Sequence, residues 1–347
     1  MLELDRVSKV YRVGTFGGKE LHAVRDVSFD VKDGEVLSLI GESGSGKTTI
    51  GKMILRLTPI TSGTIRFNGV DISTLKGSAL KGYYRKVQGV FQDPFSSYNP
   101  IFKADRIFKV IREEFFPQIT RSEWNDKVES SLRDVGLNPD DVLNKFPHQL
   151  SGGQLQRFLI ARALLLDIEF LVADEIISML DASRRIDVLN LLADLKARGL
   201  SILFITHDLS LGYYISERAV ILYRGCVVEM GGTDRIYDHP LHPYTKMLMV
   251  AVPRLDKKWE EVEIELKAKR AALSKGCVYY ERCSEAEEGC QRQRPTLVEV
   301  EDDHLVACFH YAAQDKPRPV LGTSHHQDSR GGAGLSHSGR DDWKVWE

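Results

Sequence analysis

Four short apolar runs punctuate the chain: VLSLI (36–40), EFLVA (169–173), SILFI (201–205) and AVILY (219–223). They are rich in Val, Ile and Leu, are bounded by Gly, Asp or His, and do not alternate with polar residues. Runs of that length and composition predict parallel strands buried on both faces. Longer patterns at helical spacing lie between them: TTIGKMILRL, LQRFLIARALLL and RRIDVLNLLADLKARG, the last stopping at Gly199. Strand-helix alternation from residue 1 to about 235 predicts an α/β domain with a mainly parallel sheet.

The pattern changes twice. From about 97 to 160, KADRIFKVIREEFF and NDKVESSLRDVGL read as amphipathic helices with no strand between them, which predicts an inserted helical subdomain. After residue 235 comes DHPLHPYTKMLMVAVPRLD, then the charged, helix-like KKWEEVEIELKAKRAAL, then a cysteine-bearing segment, so that 236–313 reads as a small extension. Residues 314–347 are rich in Gly, Ser, His and Asp with few apolar anchors, and they predict a disordered tail.

Charge and composition narrow the function. The formal net charge is −2, without the strongly basic balance of a polyanion binder, so no nucleic-acid partner is expected. The N-terminus lacks the apolar core of a signal peptide, and no apolar run approaches the ~20 residues that span a bilayer. A soluble protein is expected, with any membrane connection made through a partner. Five cysteines in such a chain should be reduced thiols. Cys226, alone within ILYRGCVVEM, reads as a core residue.

The chemistry begins at GESGSGKTT (41–49), between the VLSLI strand and a helix. Gly41, Gly44 and Gly46, with Ser43 and Ser45 between them, let the backbone curl so that its N–H groups face a phosphate. The helix start adds partial positive charge. Lys47 can reach the β- and γ-phosphates, the Thr48 hydroxyl can ligate Mg²⁺, and Thr49 continues the helix start. FLVADE places Asp174 and Glu175 at the end of another buried strand, at the crevice edge of a parallel sheet. Asp174 suits the Mg²⁺ shell, and Glu175 suits polarising a water. Gln92, in VFQDPFSSYNP, could touch Mg²⁺ and the γ-phosphate; His207, in FITHDLS, could donate to the γ-phosphate or the water. Ser151, Gly152, Gly153 and Gln154 open a further helix, a second anion-binding start in a chain that already has a phosphate loop.

With these motifs in this order, the chain resembles the ATP-binding subunits of ABC transporters over roughly residues 1–235. GESGSGKTT matches the Walker A motif of that family, FLVADE Walker B, LSGGQ the signature, Gln92 the Q-loop and His207 the H-loop. Tyr11 matches the aromatic that stacks on adenine, and Asp181 the D-loop. The resemblance implies a P-loop NTPase core and two such subunits paired head to tail. Each ATP would lie between the Walker A of one subunit and the signature of the other, with Glu175 as general base. FQDPFSSYNP, FPHQLSGGQLQR, HPLHPYTKMLMVAVP and the late cysteines resemble the oligopeptide/dipeptide importer group, in particular its second type of ATP-binding subunit. That implies an ATPase heterodimer with a related subunit, two transmembrane permease subunits, an extracytoplasmic substrate-binding protein, and a peripheral position on the cytoplasmic face of the cell membrane. An oligosaccharide importer of the same group is the alternative, and a non-transport ABC ATPase a more distant one. One departure stands out: the group usually reads ADEPTSALD, and here Ile176, Ile177 and Met179 replace Pro, Thr and Ala.

Cys277, Cys283, Cys290 and Cys308 lack the C-x-x-C spacing of common zinc sites. Four thiolates from one loop-rich segment can hold a [4Fe–4S] cluster. The resemblance also implies such a cluster, with a structural role. Zinc and unligated thiols remain open on the residues alone.

Overall fold

The structure, a computed structural model, describes residues 1–14, 18–178, 180, 182–250 and 275–312. The expectations for Met179, Asp181, the charged segment 257–273 and the tail 314–347 fall outside those residues.

The chain opens with antiparallel strands β1 (Leu2–Val13) and β2 (Lys19–Val31), then enters the core as β3 (Val36–Ile40) and α1 (Lys47–Ile54). A hairpin follows, β4 (Ser62–Phe67) and β5 (Val70–Asp71), then α2 (Gly77–Lys86) and β6 (Val87–Val90). Helices α3 (Arg106–Phe115), α4 (Arg121–Asp134), α5 (Pro139–Val142) and α6 (Gly152–Leu164) come next, with no strand among them. The chain returns to the sheet through β7 (Phe170–Asp174), α7 (Ala182–Ala197), β8 (Ser201–Thr206), α8 (Leu209–Ile215), β9 (Arg218–Tyr223) and β10 (Cys226–Gly232). The remaining elements are α9 (Thr233–Asp238), α10 (Pro243–Val250), α11 (Glu288–Arg292), β11 (Val298–Glu301), β12 (His304–Val306) and α12 (Phe309–Ala312).

Two sheets result. The larger has the order β11-β12-β10-β9-β3-β8-β7-β6. The pairs β3–β8, β3–β9, β7–β8 and β6–β7 are parallel. Strands β3, β7, β8 and β9 are buried at every residue, which is why they read as unbroken apolar runs. The smaller sheet, β2-β1-β4-β5, is antiparallel. The expectation of a mainly parallel sheet therefore holds for the centre of the large sheet and misses the small one. In β1 and β2 buried and exposed positions alternate irregularly, because the β1–β2 register shifts three times.

The core divides along the same lines. The inserted helices pack with α7 and one face of the large sheet, around Phe158, Leu159, Leu132, Phe108 and Trp124. Phe108 and Phe158 stack with ring centroids 4.6 Å apart. The second cluster lies between the two sheets and holds the buried face of α1: Ile50, Met53 and Ile54. Helices α1 and α6 thus belong to different cores.

The extension joins the large sheet. β12 pairs with β10, from Glu229↔Val306 to Gly231↔His304, and β11 covers β12. A fully buried polar knot holds this seam. Glu229 accepts the Leu241 and His242 amides at 2.9 and 2.8 Å, and its carboxylate lies 2.8 Å from His304 Nε2. A carboxylate at zero exposure is tolerable only with its lone pairs so occupied.

Candidate active site

The phosphate loop runs from β3 to α1, with Gly44 and Gly46 at φ +79° and +108°. That left-handed backbone favours glycine. At Gly46 a Cβ would also strike the Ala23 carbonyl, and at Gly41 it would strike the Leu222 carbonyl. Gly46 caps α1 with no side-chain hydrogen bond, so the helix start has no anion surrogate of its own. Lys47 is buried, and its Nζ donates to the Gly41 and Glu42 carbonyls at 2.7 and 3.0 Å. It waits folded over the loop it would serve. Burial lowers its pKa, and Glu175, Asp174 and Glu42 pull it back up.

Asp174 closes β7 beside this loop. It is 3% exposed, and burial raises its pKa while a hydrogen bond from the Thr48 hydroxyl lowers it. Its Oδ1 is buried without a partner, as is Ser45 Oγ. An orphaned carboxylate oxygen next to a threonine hydroxyl is an incomplete oxygen-ligand set, and these residues fit Mg²⁺. Glu175 follows at φ +49°, left-handed for a non-glycine residue, with its amide donating to the Ile205 carbonyl at 2.9 Å. Such a conformation costs on the order of 1 kcal/mol. Here it turns the carboxylate back toward the phosphate loop. Glu175 Oε1 lies 3.9 Å from Lys47 Nζ, and Oε2 lies 3.4 Å from His207 Nδ1. Three motifs far apart in sequence thus meet within one charged cluster.

Other predicted residues lie around this centre. Gln92 follows β6 and is exposed, as is Ser43 within the loop. Tyr11, half-buried, pairs with Leu21 across the β1–β2 ribbon, and Lys9 Nζ sits 4.9 Å from its ring centroid. Ser151 caps α6 in a reciprocal box: Gln154 N donates to Ser151 Oγ at 3.2 Å, and Ser151 N donates to Gln154 Oε1 at 2.9 Å. That box leaves the Gly152 and Gly153 amides outside it.

Ile176 and Ile177 are 1% and 3% exposed and pack into the helical core with Leu180. The departure from the usual Pro-Thr is a packing change. Ser178 still folds back, its N–H and hydroxyl donating to the Glu175 carbonyl at 3.1 and 2.9 Å.

The sequence reading missed Glu42, Tyr244 and Arg282. Glu42 lies inside the recognised motif. Tyr244 and Arg282 reach the loop from 202 and 240 residues away, and no local pattern signals them.

The four late cysteines are free and line one small cavity with His242, Tyr279 and His310. Burial raises the pKa of Cys277, Cys283 and Cys308, the last to about 11, and neighbouring cysteines raise each further. Raised pKa values keep these three thiols in the protonated form near neutral pH. Among the described residues no group of three or more His, Cys, Asp or Glu is arranged to hold a metal ion. The four thiols therefore share a cavity, and neither the expected iron-sulfur cluster nor zinc is supported by their arrangement.

Residues 24–178 match the ABC transporter family, and residues 228–290 match the oligopeptide/dipeptide transporter C-terminal region. The oligopeptide transport ATP-binding protein AppF of Bacillus subtilis is 42% identical over 325 residues, covering 90% of this chain and 98% of AppF. This chain belongs to the ATP-binding subunits of the oligopeptide/dipeptide ABC transporter family. A putative peptide import ATP-binding protein of Brucella ovis is 41% identical over 298 residues, covering 83% of this chain and 92% of that protein. Among solved structures, the dimeric ATP-binding cassette MJ0796, in a post-hydrolysis state with ADP and phosphate, superposes with a TM-score of 0.61 at 28% identity. It covers 67% of this chain and 99% of the cassette. The chain is therefore an ABC ATPase subunit, for which ATP and Mg²⁺ are expected and transmembrane permeases are the implied partners. Among the described residues no helix is long and apolar enough to cross a membrane.

Proposed function

We propose that this subunit hydrolyses ATP to drive oligopeptide import from the cytoplasmic face of the membrane, as one half of an ATPase heterodimer. Two permease subunits and an extracytoplasmic substrate-binding protein complete the reading. Residues 1–235 would form the nucleotide-binding domain with its helical subdomain at about 97–160, 236–313 the extension, and 314–347 a tail. The meeting of Lys47, Glu175 and His207 at the end of the phosphate loop carries the assignment.

In this reading the loop amides and Lys47 hold the β- and γ-phosphates, with Tyr11 against the adenine. Thr48, Asp174 and Gln92 hold Mg²⁺, which when bound neutralises phosphate charge. Glu175 orients a water in line with the γ-phosphorus and accepts its proton as the bond to ADP breaks; His207 steadies the γ-phosphate and Glu175. Ser151, Gly152, Gly153 and Gln154 serve the partner's ATP, and Asp181 lies in the loop that crosses to it. The division is supported by Ser151 and Gln154 opening α6, which packs in the helical core, while the phosphate loop opens α1 in the other core.

The thiol cavity would hold a [4Fe–4S] cluster through Cys277, Cys283, Cys290 and Cys308, tying down a segment with few core residues. Two measurements test the whole reading. In reconstituted vesicles, ATP turnover and import of a labelled oligopeptide should rise together, and import without ATP would overturn it. Iron, sulfide and zinc assayed on anaerobically purified protein, with its absorption spectrum, test the cavity: colourless, metal-free protein refutes the cluster.

A further inference from the structure

One wall of the phosphate loop comes from the extension. Arg282, between two of the late cysteines, donates from Nη1 to both carboxylate oxygens of Glu42, at 3.0 and 2.9 Å. The guanidinium also reaches the Tyr223 hydroxyl at 3.4 Å and lies 5.7 Å from the Tyr279 ring centroid. The Glu42 amide donates to the Tyr244 hydroxyl at 2.9 Å. Tyr244 is fully buried and packs against Tyr223 and Tyr279, with centroids 4.5 and 5.5 Å away. The backbone and the side chain of Glu42 are thus both held by residues outside the motif.

The position of Glu42 bears on ATP in two ways. Its carbonyl accepts from Lys47 Nζ at 3.0 Å, so its placement sets where Lys47 rests. Its carboxylate stands on a loop meant for a polyanion, where a free negative charge would repel phosphate and compete for Lys47. Arg282 pairs with that charge.

We propose that Arg282 and Tyr244 are positioning residues for ATP: the extension pins and neutralises Glu42 so that the loop presents its amides and Lys47, not a free carboxylate. The inference rests on residues 41–49 being the ATP site. MgATP binding to the full-length chain, followed by calorimetry beside thermal melting without nucleotide, tests it. Arg282→Ala should raise the Kd for MgATP by about tenfold, within the range of energetic coupling between linked sites. Tyr244→Phe should raise it by about threefold, the loss of one hydrogen bond. Arg282→Lys, which restores the charge without the guanidinium fork, should recover part of the lost affinity. Adding Glu42→Gln to Arg282→Ala should do the same by removing the charge that needs neutralising. Lys47→Ala is the control for the site and should abolish binding. If it does while Arg282→Ala binds as wild type, the inference is wrong. It is also wrong if Arg282→Ala lowers the Tm and neither compensation restores affinity, because Arg282 is then only a strut. If Lys47→Ala binds normally, the reading of the ATP site fails and takes the inference with it.

Discussion

The phosphate loop and the thiol cavity are both places where chemically active groups converge, yet they are built in opposite ways. The loop takes its donors mainly from consecutive backbone, fixed by left-handed glycines and by carbonyls that leave no room for a Cβ. The cavity draws on four cysteine side chains spread over 277–308, and burial raises the pKa of Cys277, Cys283 and Cys308. Backbone donors need no titration and stand ready in the folded chain. Thiols must lose protons before they bind. The first site is preformed in backbone, with Glu42 held by side chains from outside the motif. The second depends on the seam that fastens the extension to β10.

The largest expected effect separates chemistry from both kinds of construction. Glu175→Gln keeps the shape of the loop and removes only the base beside His207, so MgATP should still bind. Turnover of the assembled transporter should fall by about 10²–10⁴-fold, the usual contribution of a positioned base. Near-normal turnover would remove Glu175 from that role. The Tm and the thiol cavity should not respond.

Next in size is a cut at the seam. Glu229 holds two amides and His304 at zero exposure. Glu229→Ala leaves those donors unsatisfied and should cost about 3–5 kcal/mol. Limited proteolysis should then release the extension while residues of the central sheet stay protected. If the loss is spread evenly over the chain, the seam is no weaker than the core, and the contrast between the two sites fails.

The sequence exposed what is local and hid what is assembled. VLSLI, FLVAD and SILFI announced buried strands because every residue in them is buried. The loop glycines announced a phosphate site because their conformations follow from having no Cβ. The small antiparallel sheet stayed hidden, since register shifts break the alternation in β1 and β2. The β10–β12 pairing joins residues more than seventy positions apart, and β12 spans only His304–Val306. A pattern three residues long says nothing of its partner. Arg282 was invisible for the same reason: its role exists only because the fold brings it to Glu42.

A third effect concerns acid. His242 is buried at the seam, its Nδ1 accepting from the Tyr244 amide at 3.0 Å. Burial lowers its pKa from 6.5 to about 4, against the pull of Glu229 and with a small push from Lys246. Above pH 6.5 the folded and unfolded chains both hold it neutral, and its burial is free of penalty. Below that value the unfolded chain binds a proton that the folded chain refuses until about pH 4. Stability should therefore fall across this window, by about 3 kcal/mol in total. His242→Asn keeps an acceptor near the Tyr244 amide and cannot titrate, so its urea midpoint should change less between pH 7 and pH 4.5. Equal slopes for the two proteins would assign the acid response to other groups.

The smallest effect tests the departure next to Glu175. Ile177 sits at 3% exposure in the helical core, at the position where the ADEPTSALD pattern expected from the resemblance has threonine. Ile177→Thr removes apolar volume and adds a hydroxyl that this pocket was not shaped to satisfy. The two terms together should cost about 1–2 kcal/mol. The cost should appear in the urea midpoint, with kcat unchanged, because Ser178 rather than residue 177 holds the Glu175 carbonyl. A fall in kcat larger than the fall in stability would mean that the isoleucines set the angle of Glu175. In that case the strained turn at φ +49° depends on core packing as much as on the strand that precedes it.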